Sequence, residues 1–123
     1  MSTILVVEDE PNVRKLVTVN LAQRGYRVLE AGNGQEAREQ LNNQKIALLI
    51  LDIKLPDLSG WDLLDELSSI ESLSTDFPVL VMTATPVNRN TVLNQYPSVF
   101  EILVKPFDID KLITAIQHAL LES

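Results

Sequence analysis

The chain reads as an α/β protein built on one parallel sheet with helices on both faces. Two observations predict this. Short apolar runs alternate five times with helical segments, and the central runs lack the in–out alternation of half-exposed strands. Strand–helix–strand units of this kind close through right-handed crossovers. At 123 residues there is room for one domain, residues 1–123, with a substantial core.

"TILVVE" (3–8) predicts a buried first strand. The helix expected over 12–24 carries Val13, Leu16, Val17 and Leu21 on one face, with Pro11 suited to its first turn and Gly25 to its stop. "YRVLEA" (26–31) alternates apolar and polar residues, as an edge strand does. The helix over 33–43 has Asn33 and Glu36 at capping-box spacing and a thin apolar face. "IALLIL" (46–51) is the third strand. Ser59 and Asp62 open a helix over 59–70 that turns Leu63, Leu64, Leu67 and Ile70 inward. "PVLVM" (78–82) and "FEILV" (100–104) supply the last two strands. Between them, 86–98 has proline near both ends and little helical rhythm, so a helix there is expected to be short or mobile. The closing helix (108–121) spaces Ile109, Leu112, Ile113, Ile116 and Leu120 at three and four.

Composition removes several function classes. Ten basic residues against seventeen acidic ones give a net charge of −7, and the basic residues are scattered. A nucleic-acid duplex demands a cationic face, so direct nucleic-acid binding is not expected. The apolar runs are too short to cross a membrane, and "MSTILVVEDE" has no basic segment of a signal peptide. There are no cysteines for disulfides or thiolate metal sites. These features together favour the cytoplasm.

In an open parallel sheet, chemistry sits beyond the carboxyl ends of the strands. Glu8 and Asp9 follow the first strand, Asp52 the third, Thr83 the fourth, and Lys105-Pro106 the fifth. Stripping a carboxylate of solvent at the end of an apolar strand is costly, so its placement there calls for a reason. Three acids on one rim repel one another, Lys105 offsets one charge, and a divalent cation offsets the rest. Oxygen donors without cysteine select Mg²⁺, or Mn²⁺, over Zn²⁺. Such a site suits phosphoryl transfer: Asp52 attacks, while the cation, Lys105 and the Thr83 hydroxyl each take one phosphoryl oxygen. Taken singly these residues have plainer readings. Glu8-Asp9-Glu10 could be an acidic cap on a helix N-terminus, and Asp52 a turn residue ahead of Pro56. His118 reads as an exposed helix residue, Trp61 as partly buried packing, and Asp57, Asp62 and Asp65 as loop, cap and solvent-facing residues.

The segments "ILVVEDEP", "LILDIKLPDLSG", "VMTAT" and "VKPF" stand in the order and spacing of a known family. Through them the whole chain resembles a receiver domain of two-component response regulators, in architecture most like the small single-domain chemotaxis regulators. The resemblance implies a flavodoxin-like (βα)5 three-layer sandwich with strand order 2-1-3-4-5. It implies that Asp52 accepts phosphate from a phosphohistidine on a sensor histidine kinase or histidine phosphotransfer protein. Asp9 and Asp52 would bind Mg²⁺ directly, Glu8 through water, and Lys54 through its backbone carbonyl. Thr83 would swing toward the phosphoryl group, Lys105 would pair with it, and the Lys105-Pro106 peptide would be cis. One position departs from the pattern. Receivers usually carry Tyr or Phe three residues before the strand-five lysine, and here that residue is Ile102. Phe100, two positions away, is expected on the same strand face. Lys54 is expected to affect how long the phosphoryl group lasts.

The resulting expectation is a phosphorylation-dependent switch, not an enzyme beyond its own phosphorylation and dephosphorylation. The chain ends just after its closing helix, so output is expected through protein contact at the face of helix four, strand five and helix five. It would act as a monomer or a weak phosphorylation-dependent dimer. An alternative is a receiver-like module that binds without phosphorylation, which the aliphatic Ile102 keeps open. A phosphatase of the haloacid-dehalogenase type fits poorly, because its acid/base aspartate would fall at Lys54.

Overall fold

Five strands and five helices alternate along the chain in a computed structural model that describes residues 2–69 and 77–122. They are β1 (Thr3–Val7), α1 (Pro11–Gln23), β2 (Arg27–Ala31), α2 (Gly34–Asn43), β3 (Leu48–Asp52), α3 (Gly60–Ser69), β4 (Val79–Thr83), α4 (Arg89–Gln95), β5 (Val99–Val104) and α5 (Ile109–Glu122). Every strand pair is parallel and the sheet order is β2-β1-β3-β4-β5. This is the expected three-layer flavodoxin-like sandwich, with β2 at an edge.

Period-two alternation explains how one apolar run serves two layers. Leu5, Val7, Leu49, Leu51, Val79 and Val81 face one way and pack against Ala37 of α2, Leu63, Leu64 and Leu67 of α3, and Val92 of α4. Ile4, Val6, Leu48, Ile50, Leu80 and Met82 face the other way, against Val17 and Leu21 of α1 and Leu112, Ile113 and Ile116 of α5. Each fully buried Leu, Ile or Val contributes on the order of 1.5–3 kcal/mol, so these two clusters hold the sandwich together.

Two local expectations are corrected and a third is met. On α1 only Val17 and Leu21 are buried, while Leu16 is 56% exposed. The sheet is packed by Val17 and Leu21, and one residue's step of about 100° turns Leu16 away from Val17. Segment 86–98 holds the short helix expected there, α4, of seven residues, capped by the Asn88 side chain accepting from the Thr91 N–H at 3.1 Å. On β5, Val79 pairs with Val99 but Leu80 pairs with Glu101, so Phe100 is an extra residue in the ladder. That bulge reverses the alternation. Phe100 packs with the α1/α5 cluster and Ile102 with the α2/α3/α4 cluster, on opposite faces of the sheet. Ile70 lies outside the described residues.

Candidate phosphoacceptor site

Register delivers the acids. Val7 pairs with Leu51, so the next residues on the two strands, Glu8 and Asp52, emerge side by side. Thr83 pairs with Val104, so Lys105 leaves the sheet on the same rim. Glu8 is fully buried, Asp52 is 3% exposed and Thr83 is 5% exposed, whereas Asp9 and the Lys54 side chain are exposed. The Lys105 Nζ lies 2.5 Å from Glu8 Oε1 and 2.8 Å from Asp52 Oδ2. The structure thus brings Glu8, Asp9, Asp52, Thr83, Lys54 and Lys105 to one rim. A cavity of about 500 Å³ there is lined by Asp9, Asp52, Lys54, Thr83 and Lys105, with Trp61 and Val87 among its apolar walls.

Electrostatics follow from the burial. Loss of solvent, helped by a hydrogen bond shared with Asp52, pushes the Glu8 carboxyl up to about 7, against the opposing pull of Lys105. Burial works against the charge on Lys105, but its hydrogen bonds to Asp52 and Glu8 prevail and raise its pKa above the ordinary lysine value. One carboxylate oxygen from each of Glu8, Asp9 and Asp52 lies within 4.8 Å of the others, a hard-oxygen set that fits a divalent metal. Asp52 also accepts the Lys54 N–H at 3.1 Å, which turns the chain sharply over the carboxylate. The Lys105-Pro106 bond is cis. Thr83 does not point at Asp52: its hydroxyl donates to the Thr85 carbonyl at 3.0 Å and accepts the Thr85 N–H at 3.1 Å.

Several supporting residues escaped the sequence reading. Arg14 donates to the Glu8 carbonyl at 2.7 Å, pinning the turn that carries the acids. Asp57 is more than a loop residue, because its two carboxylate oxygens accept the N–H groups of Gly34 and Gln35 at 2.8 and 3.0 Å. This ties the loop after Asp52 to the start of α2 and lowers the Asp57 pKa. Gly60 is required by proximity: a Cβ there would meet the Asp52 carbonyl oxygen at 2.7 Å and the Ile53 Cα at 2.8 Å. Asp65 is exposed yet not merely solvent-facing, since it accepts the Tyr96 hydroxyl at 2.9 Å. His118 is exposed on α5 and Trp61 is partly buried, both as expected.

Comparison with known proteins agrees with this geometry. Residues 4–117 match the response regulator receiver domain. The transcriptional regulatory protein GlrR of Escherichia coli is 34% identical over 120 residues, which cover 98% of this chain and 26% of that protein. PhoB of Pseudomonas aeruginosa, a phosphate regulon transcriptional regulatory protein, is 33% identical over 118 residues, covering 96% of this chain and 51% of PhoB. The chain therefore spans a quarter to a half of these relatives. Among solved structures, the response regulator TrrA of Thermotoga maritima in complex with Mg²⁺-BeF aligns with a TM-score of 0.83 and 32% identity, covering 98% of this chain and 100% of TrrA. A CheY-like receiver domain protein of Methanospirillum hungatei aligns with a TM-score of 0.87 at 25% identity, covering 99% and 95% of the two chains. The chain belongs to the response regulator receiver family. Members are phosphorylation-dependent switches of two-component signal transduction, signalling domains that interact with sensor kinases and downstream effectors. No helix among the described residues is long and apolar enough to cross a membrane.

Proposed function

We propose that Asp52 is the phosphoacceptor of this switch and takes its phosphoryl group from a phosphohistidine on a sensor histidine kinase or histidine phosphotransfer protein. An Asp52 carboxylate oxygen forms the new bond to phosphorus as the P–N bond to imidazole breaks. The imidazole departs with the electron pair and is protonated from solvent. Lys105, held between Glu8 and Asp52, neutralises one phosphoryl oxygen. Thr83 supplies a hydroxyl to another once it leaves Thr85, a short rearrangement within one loop. Mg²⁺, held by Glu8, Asp9, Asp52 and the Lys54 backbone carbonyl, supplies charge neutralisation when bound. Mn²⁺ satisfies the same donors.

The single observation that carries this reading is the Lys105 ammonium, 2.5 Å from Glu8 and 2.8 Å from Asp52 beside an acid cluster fit for a cation. The 1–123 unit acts in the cytoplasm as a monomer or weak phosphorylation-dependent dimer, and binds no nucleic acid directly. Its downstream partner docks on the face of α4, β5 and α5. There a cavity of about 630 Å³ runs beside Ile102, Val104, Phe107 and His118, and Val104 is 42% exposed. The test is intact mass after incubation with acetyl phosphate and Mg²⁺. One phosphoryl group should appear on the wild type and none on Asp52→Asn or with the metal chelated. An unchanged wild-type mass, with partner binding that survives Asp52→Asn, would instead favour a module that works without phosphate.

A further inference from the structure

We infer that Trp61 and Tyr96 couple the acid pocket to α4, so that a phosphoryl group on Asp52 is read at that helix through an aromatic stack. The inference rests on the assignment of Asp52 as phosphoacceptor. Trp61, near the start of α3, forms part of the wall of the cavity that holds Asp52, Thr83 and Lys105. Its ring stacks on Tyr96 with centroids 5.6 Å apart and planes at 17°. Tyr96 is the C-cap of α4 and only 5% exposed. Its hydroxyl donates to Asp65 of α3 at 2.9 Å and accepts from the Gln95 side chain at 3.3 Å. One residue thus closes α4, lies flat against the indole in the pocket wall, and is tied by its hydroxyl to the helix that carries that indole.

The alternative route from the rim is less well equipped. Where β5 faces the same cluster it offers Ile102, and its aromatic, Phe100, is turned by the bulge to the other side of the sheet. Val87, between β4 and α4, lines the cavity and packs into the same cluster, so movement of the Thr83–Thr85 loop also presses on this side. α4 has seven residues, of which Val92 is buried and Leu93 partly so, and Tyr96 at its C-cap adds an aromatic contact that ties it to α3. Interiors packed at crystal-like density pass on a displacement instead of absorbing it. A rigid indole plate is well suited to do so. A ligand shifts such an equilibrium only by interacting differently with its two states, and three phosphoryl oxygens beside Trp61 are such a difference.

Amide and indole ¹H–¹⁵N resonances of the whole chain, titrated with beryllofluoride in the presence of Mg²⁺, test this. Trp61 is the sole tryptophan, so its indole N–H is unambiguous. In the wild type, the indole and the α4 amides should move with the same midpoint as the amides of Asp52 and Thr83. In Tyr96→Leu the Asp52 and Thr83 amides should still move while the α4 amides lose their response, and Tyr96→Phe, which keeps the ring, should retain it. A full α4 response in Tyr96→Leu overturns the inference. Should that variant fail to fold, the wild-type indole decides: a resonance that stays fixed while Asp52 and Thr83 respond also overturns it. No movement at Asp52 and Thr83 in the wild type would defeat the phosphoacceptor assignment itself, and the inference with it.

Discussion

Glu8 is buried, which below about pH 7 favours a proton on the same oxygens that a cation needs. Its carboxyl is raised from 4.5 to about 7, so between those values the folded chain keeps a proton that the unfolded chain has lost. The stability Glu8 contributes is therefore fully present below about pH 4.5 and is lost as pH rises through about 7. Metal binding runs the other way, because the proton must leave. Mg²⁺ affinity, followed by Trp61 fluorescence or calorimetry, should rise by up to about tenfold per pH unit below about 7 and then level off. A flat profile would contradict this. Lys105→Met removes the cation that Glu8 and Asp52 share, so Mg²⁺ should bind more tightly while phosphorylation by a small donor slows. Weaker Mg²⁺ binding in that variant would mean the ammonium positions the acids more than it competes with the metal. Asp52 and Lys105 were legible in the sequence because a buried strand that ends on a charge needs a reason. The partners of Arg14 and Asp65 were not, since the Tyr96 hydroxyl that meets Asp65 lies 31 positions away and nothing local marks the pair.

The loop between β3 and α3 is where local geometry serves the site most closely. α3 begins so near the end of β3 that only a hydrogen fits at position 60. Gly60→Ala should cost about 1–3 kcal/mol, the usual penalty of overpacking, seen as a lower urea midpoint at unchanged slope. A wild-type midpoint would show that the loop yields freely. Asp57→Ala leaves two N–H groups at the start of α2 without their carboxylate and should lower the melting temperature. An unchanged value would mean that water replaces it fully. At this scale the strands and the α1, α3 and α5 helices were readable from their residue patterns, with ends displaced by one or two residues because frayed termini carry little pattern. The β5 bulge was hidden, since "VFEILV" alternates no better in one register than in another. α4 was legible only as a short or mobile helix, because its hold on the fold comes from Val92 and Tyr96 reaching distant elements.

The molecule as a whole is a sandwich whose two apolar layers meet along one sheet, and among the described residues its buried carboxylates, Glu8 and Asp52, lie at the rim where the strands end. That much follows from strand–helix alternation and from the residues after each strand, and the order β2-β1-β3-β4-β5 places β1 and β3 together so that their acids meet. What the sequence did not disclose is the aromatic bridge from rim to α4, because Trp61 and Tyr96 are 35 positions apart in a chain with few aromatics. The central claim is that Asp52, among all seventeen acidic residues, forms the acyl phosphate. It is tested most directly by treating the phosphorylated protein with borohydride, which reduces an acyl phosphate to the alcohol, and mapping the peptides. The account predicts homoserine at position 52 and nowhere else, dependent on Mg²⁺. Reduction at another carboxylate, or none in a protein that has gained a phosphoryl group, would contradict it.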